Sequence, residues 1–448
     1  MIKRTVPMNT IIEETFTSAT PLRLVFFRKM NDTPIVKNFL QVLEASENNP
    51  DASASQDFLD AYYQLNALLI KGAMESKPSS HMHPAGGSLW QYMILKHLFN
   101  DENPFSLFCE SQLLTKAHPF YQSMLEDASI LLQILNFSWD AFIQNHGIRT
   151  ENIFSKAIYP EAAIEASFNA AIRNNEPELF LNTLSGYIYN HGFGIFLNHA
   201  SFKLNNHGQL LPIINESMQT MDDLIGNTLQ KKEIIQNTKA LIDYNQGLNV
   251  LLQGSMGTGK SSTVRALLHT FSDTRLKMIE IKRDQLGLIP QLFKQLEHRP
   301  YPCILFIDDL TFETRDQDYK ILKGVLEGSL EANPKNVRIY ATSNRRHLVE
   351  ERFSERQDAV NAREVLEEKL SLSSRFGLIL TYSTPNQKEY LSIVHELAQS
   401  IGLTMNPEEL DARAIAWGGR HINTSGRTAE QLVRYLFAEQ KQVQSVSQ

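Results

Sequence analysis

The stretch Asn249–Phe271, NVLLQGSMGTGKSSTVRALLHTF, limits what the chain can fold into more than any other. Val250, Leu251 and Leu252 form an apolar run of the buried-strand type. Gly254 to Gly259 form a tight turn, and Ser261 to Phe271 a helix with Val264, Leu267, Leu268 and Phe271 on one face. Gly254, Gly259, Lys260 and Ser261 satisfy G-x-x-x-x-G-K-[ST], the phosphate-binding loop, in the strand, loop and helix context that the motif requires. Glycines at those positions let backbone N–H groups converge on phosphate oxygens, helped by the positive end of the helix dipole. Lys260 is placed to reach the β- and γ-phosphates, and the Ser261 hydroxyl to coordinate Mg²⁺. The loop Gly254, Ser255, Met256, Gly257, Thr258, Gly259, Lys260, Ser261 and Ser262 is therefore the expected cradle for ATP. An ordinary glycine-rich turn is disfavoured because pattern and context agree independently.

Further along, CILFIDDL (Cys303–Leu310) is an apolar strand ending in two carboxylates. Asp308 at its tip is expected to hold Mg²⁺ through water, and Asp309 to orient and polarise the attacking water. A capping pair of aspartates after a core strand is the competing reading, and the phosphate loop earlier in the same sheet weighs against it. VRIYATSNRR (Val337–Arg346) is another strand tip, where Asn344 has a side chain suited to the γ-phosphate or the nucleophilic water. Arg375 in LSLSSRFG and Arg427 in SGRTAEQL gain weight only from this company.

At 448 residues two or three domains are expected. With 42% hydrophobic and 21% charged residues the chain is neither disordered nor a membrane protein in composition. Its net charge of -7 supplies no global basic field for nucleic acid. The two cysteines, Cys109 and Cys303, make no disulfide framework or Cys-rich zinc site and fit a reducing cytosol. The N-terminal text MIKRTVPMNTIIEETF lacks an apolar segment after its basic residues, which predicts no secretion signal, and no run approaches the length of a membrane span. A cytoplasmic location is expected.

Residues 1–211 are mostly helical in period, with Leu89–Phe99, Ile130–Phe142 and Glu176–Tyr187 the clearest helices. His81 and His83 sit in a Pro/Gly-rich loop without metal-ligand companions, and Trp90, Phe99, Phe105, Phe108, Phe137 and Trp139 are expected to be core or interface aromatics. ASFKLNNHGQLLPII (Ala200–Ile214) has the form of a hairpin linking two domains. Strand-like runs at Leu276–Ile281, Cys303–Ile307, Val337–Thr342 and Gly377–Tyr382 alternate with helix, predicting an α/β core over 212–384 with a parallel sheet covered on both faces. A helical lid follows over 385–440 and a flexible tail over 441–448.

Over roughly Met218–Phe437 the chain resembles the AAA+ ATPases, through DDLIG (Asp222–Gly226), GSMGTGKS, FIDD (Phe306–Asp309), ATSN (Ala341–Asn344), SSRF (Ser373–Phe376) and SGRT (Ser425–Thr428). The likeness implies a P-loop NTPase fold, with Ile225 and Gly226 at adenine and Asn344 as sensor 1. It further implies Arg375 as an arginine finger offered to a neighbouring subunit of a ring, and Arg427 as the sensor 2 arginine of the lid. The block from FIDDL to ATSNRRHLVEE, with LEEKLSLSSRFGL, resembles the bacterial domain-of-unknown-function 815 family more closely still. Asp309 stands where most AAA+ proteins have Glu. Ser374 stands where that family has an acid, and Phe353–Val365 departs from its acidic text.

These features predict a Mg²⁺-dependent ATPase whose N-terminal domain recognises an unknown protein partner. One rival is a nucleotide-gated scaffold with little turnover, since the shorter Asp309 sets its carboxylate back by a methylene. A small-molecule kinase has no need of both arginines. A nucleic-acid remodeller has only the local cluster Arg345, Arg346 and His347 in its favour, beside Glu350 and Glu351.

Overall fold

The computed structural model describes residues 16–48, 55–75, 88–148, 152–156, 166–214, 219–310, 312–313, 317–327, 333–344, 349–350, 373–420 and 424–446. His81, His83, Arg345, Arg346, His347 and Phe353–Val365 lie outside them. The chain divides into two compact units, Met1–Asn198 and His199–Gln448.

The first unit is helical: α1 (Pro34–Asn48), α2 (Gln56–Glu75), α3 (Leu89–Asn100), α4 (Pro104–Ser111), α5 (Tyr121–Leu135), α6 (Trp139–Asn145), α7 (Ala166–Arg173), α8 (Pro177–His191) and the single turn α9 (Ile195–Asn198). Capping boxes at Ser88 and Asn103 start α3 and α4 by satisfying otherwise orphaned N–H groups. The helix expected over Ile130–Phe142 is two helices. Its apolar period is broken at Asn136, whose amide donates to the Ile172 carbonyl at 2.7 Å, and a new helix starts after the non-helical Ser138. Trp90, Phe99, Phe105 and Trp139 are buried, while Phe108 and Phe137 pack against the same cluster half-buried, so these aromatics are core. Trp90 adds an indole N–H bond to the Ile134 carbonyl at 2.7 Å.

The second unit contains β1 (Ser201–Leu204), β2 (Leu210–Pro212), β3 (Val250–Gly254), β4 (Lys277–Glu280), β5 (Cys303–Ile307), β6 (Phe312–Glu313), β7 (Val337–Ser343), β8 (Val349–Glu350) and β9 (Leu378–Tyr382). Seven strands form one sheet in the order β2-β1-β4-β5-β7-β3-β9, parallel throughout except for the β1–β2 hairpin. The helices are α10 (Thr228–Tyr244), α11 (Lys260–Thr270), α12 (Ile289–Leu296), α13 (Gln317–Glu327), α14 (Gln387–Ser400), α15 (Pro407–Arg420) and α16 (Gly426–Val446). Alternation sends Val250, Leu252, Ile304, Phe306 and Tyr340 to the face where Ile234 and Leu241 of α10 and Val264 and Leu267 of α11 cover them. Leu251, Ile279, Leu305 and Ile339 face the other way and are equally buried. Burial on both faces is why these strands are continuous apolar runs rather than alternating ones. The expected P-loop NTPase architecture, a mostly parallel sheet followed by a C-terminal helical lid, is present. The lid has its own core, built on Tyr390, Val394, Ala414, Leu432 and Leu436.

Two expected boundaries move. Residues 441–446 continue α16 rather than starting a tail. The hairpin does not close the N-terminal domain: Ser201, Phe202 and Lys203 pair in parallel with Met278, Ile279 and Glu280, extending the sheet by two strands. Lys277 Nζ donates to the His199 carbonyl at 2.9 Å, and Gln285 Nε2 to the Leu204 carbonyl at 3.1 Å. A fragment starting at Leu210 would discard β1, with its buried Phe202 and Leu204, and bare the β4 edge. At about 1.5–3 kcal/mol per buried side chain, it is expected to be roughly 3–6 kcal/mol less stable than one starting at His199. Thermal unfolding of the two fragments checks this, and equal melting temperatures would refute the hairpin's part in the core.

Candidate functional site

Because β7 lies between β3 and β5, three strand tips meet at one edge of the sheet: the phosphate loop after β3, Asn344 after β7, and Asp308 and Asp309 after β5. They open into a cleft of about 980 Å³ whose walls include Ile225, Gly226, Lys260, Ser261, Asp308, Asp309, Asn344 and Arg427. Among the predicted loop residues, Met256, Gly257, Thr258, Gly259 and Ser262 also line it. Gly254 and Ser255 do not line it; their carbonyls accept from Lys260 Nζ. Ser255 also accepts from the Thr384 hydroxyl, Oγ to Oγ1, at 3.0 Å.

Glycine is required at two of these positions by space as well as by conformation. Gly254 has φ 143°, and a Cβ there would stand 2.0 Å from the Tyr382 carbonyl oxygen. Gly257 has φ 78°, and a Cβ there would stand 2.6 Å from the Ser425 hydroxyl at the head of α16. The loop is thus wedged between β9 and the lid.

Lys260 is buried and fully engaged. Its Nζ donates to the carbonyls of Gly254 (2.8 Å) and Ser255 (2.7 Å) and to Asn344 Oδ1 (3.0 Å). Burial pushes its pKa below the ordinary lysine value, with Asp309 and Asp308 opposing that shift and Arg427 adding to it. Asn344 is a bridge: its other amide atom, Nδ2, donates to Asp309 Oδ1 at 2.6 Å. Asp309 has φ 54°, a left-handed conformation that Asp tolerates better than most residues, and its backbone N–H donates to Thr342 Oγ1 at 2.9 Å. Asp308 faces the loop instead. Its Oδ1 accepts from Ser261 Oγ (2.5 Å) and Thr342 Oγ1 (2.6 Å), and its Oδ2 from Arg265 Nη2 (3.0 Å).

No group of three or more His, Cys, Asp or Glu side chains suited to a metal ion occurs among the described residues. One carboxylate beside one hydroxyl, Asp308 and Ser261, nevertheless fits Mg²⁺, which takes one or two carboxylates and leaves its other positions to phosphate and water.

Ile225 is half-buried against the lid core. Its segment is held by Lys231, whose Nζ donates to the carbonyls of Leu224 and Met221. Arg375 does not line the cleft. Val250 pairs with Leu378 and Gly254 with Tyr382, so Arg375, which precedes Leu378, lies beyond the end of β9 opposite to the loop. At about 3.3 Å per residue the strand alone puts it roughly 13 Å from the loop.

Sequence reasoning left Arg265, Lys231 and the part played by Thr342 unassigned. Arg265 was findable, since it stands four residues after Ser261 and therefore on the same helical face. Thr342 alternates with Ala341 and Ser343 along β7, and its contacts depend on which strand is its neighbour, which the sequence does not state. No helix of the described residues is long and apolar enough to cross a membrane.

The profile of the family described as "Protein of unknown function (DUF815)" matches residues 197–440. Among solved structures, the RuvB Holliday junction branch migration motor of Thermotoga maritima matches with a TM-score of 0.35 and 19% identity, over 48% of this chain and 63% of that one. Two variants of the same motor match with a TM-score of 0.35, at 18% identity over 48% and 63% and at 19% over 48% and 64%. The chain thus spans less than two thirds of the length of those neighbours. No curated protein matches. With more than half its length under that family profile, the phosphate loop included, the chain belongs to the DUF815 family.

Proposed function

We propose that the chain is a cytoplasmic ATPase that binds Mg-ATP in this cleft, hydrolyses it, and uses the cycle to move core against lid and act on a macromolecular partner. The observation that carries the reading is the bridge from Lys260 through Asn344 to Asp309. It sets a phosphate-binding cation, an amide and a carboxylate base in one hydrogen-bonded row at the strand tips. On nucleotide binding Lys260 exchanges its carbonyl partners for β- and γ-phosphate oxygens, and the loop amides cradle the rest. Ile225 and Gly226 contact adenine. Ser261 and Asp308 would hold Mg²⁺, which when bound would supply charge neutralisation on the phosphates. Asp309 orients and deprotonates the attacking water, Asn344 positions it, and Arg427 brings lid charge to the γ-phosphate. Arg375 serves the cleft of a second copy in a ring, and the first unit recognises a protein partner. Nucleic acid is a lesser candidate, given the acidic chain.

A second reading, a nucleotide-gated switch of slow turnover, is favoured by one feature: Asn344 occupies the carboxylate that would act as base. The site itself is tested by Lys260→Ala. Loss of charge-assisted bonds worth about 1.5–3 kcal/mol is expected to raise the Kd for ATP roughly 10- to 150-fold. Fluorescent-nucleotide titration measures it, and unchanged affinity would place the nucleotide site elsewhere.

A further inference from the structure

Asp308 already has a cationic partner within the chain. Arg265 Nη2 lies 3.0 Å from Asp308 Oδ2 and 3.9 Å from Glu280 Oε1, and its guanidinium carbon sits 5.3 Å over the Phe306 ring. The ladder explains the arrangement. Glu280 pairs with Phe306 across β4 and β5, and Asp308 follows Phe306 by two residues, putting both on one face. One guanidinium thus rests on an aromatic platform between two carboxylates at adjacent strand tips. Its side chain is 40% exposed, so movement between them disturbs no core packing.

We propose that Arg265 guards the metal position: it neutralises Asp308 while no metal is bound and withdraws to Glu280 when Mg²⁺ arrives with nucleotide. The proposal rests on the reading of Asp308 and Ser261 as the metal-holding pair. Arg265 holds Oδ2 and Ser261 faces Oδ1, so a metal beside Ser261 would bring a second cation to the same carboxylate, and the repulsion between the two favours withdrawal of the guanidinium toward Glu280. The metal's affinity is then set by the difference between Arg265 on Asp308 and Arg265 on Glu280. A purely structural ion pair has no such dependence, because Glu280 at 3.9 Å would contribute little to it.

The two carboxylate partners give substitutions of opposite sign. Arg265→Gln leaves Asp308 without its internal cation and is expected to tighten divalent-metal binding about tenfold. Glu280→Gln removes the retreat and is expected to weaken it by about the same factor. Arg265→Lys keeps the charge and is expected to stay near wild type. The measurement is titration of Mn²⁺, followed by its electron paramagnetic resonance signal, into the full chain saturated with ADP, with thermal unfolding confirming that each variant is folded. Should Arg265→Gln fail to fold, Glu280→Gln and Arg265→Lys carry the test. Metal affinity that is unchanged or weaker in Arg265→Gln, or unchanged in Glu280→Gln, overturns the proposal while leaving the metal site intact. Wild-type protein that binds ADP but no Mn²⁺ overturns the metal reading, and the proposal with it.

Discussion

Asp309→Ala is expected to leave ATP bound and to slow its hydrolysis about 10²- to 10⁴-fold, the usual contribution of a general base. The expectation follows from where the carboxylate points. Asp309 contacts Asn344 and Thr342, whereas the loop lysine is held by Gly254, Ser255 and Asn344, none of which the substitution removes. Asp309 also helps to sustain the charge on buried Lys260, so a small loss of nucleotide affinity accompanies the large loss of rate. Nucleotide titration and phosphate release on one preparation separate the two effects. Hydrolysis at the parental rate would put the base elsewhere. Asp309→Glu lengthens the side chain toward the water and is expected to raise turnover if the site tolerates the extra methylene.

The largest effect is expected from a residue outside the cleft. Arg375→Ala should bind ATP nearly normally and hydrolyse it about 10³- to 10⁵-fold more slowly, the range an arginine finger contributes in other nucleotide hydrolases. Arg375 lies beyond the start of β9 and the loop beyond its end, so within one chain the guanidinium does not reach the γ-phosphate position. Its action on ATP therefore requires a second copy. Mixing Arg375→Ala with Lys260→Ala joins the intact clefts of one to the intact arginines of the other, and activity should return in the mixture. Absence of rescue in chains shown to co-assemble would make Arg375 a residue of local structure.

Much of the core was legible in the sequence because its signals are local. A buried parallel strand is an uninterrupted apolar run, and Cys303–Ile307 was placed to the residue. The phosphate loop carries its conformation in its glycines, and the double aspartate ends a strand visibly. What was not legible depends on pairings between distant segments. The hairpin around Asn205–Gln209 has the same local text whether it closes one domain or edges another; only its register with Met278–Glu280 decides, and that places it in the sheet. Helix continuity failed for a related reason. Ile130–Phe142 keeps enough apolar residues to suggest one helix, yet the Asn136 amide finds a carbonyl 36 residues away and the helix ends at Leu135. In the site, Asp308, Asp309 and Asn344 were identifiable by type and position. That Asn344 joins Lys260 to Asp309, and that Arg265 reaches Asp308, follow from β7 lying between β3 and β5 and from Arg265 of α11 lying over Phe306 of β5.

Turnover of ATP in this cleft is the property from which the rest of the proposed cycle follows. Steady-state phosphate release from Mg-ATP by the full chain, measured over a range of protein concentrations with Lys260→Ala as the blank, tests it most directly. Mg²⁺-dependent release that rises per chain as copies assemble, and is absent from the blank, is expected. Stoichiometric ATP binding with no release above the blank at any concentration would contradict it and leave the chain a nucleotide-gated switch.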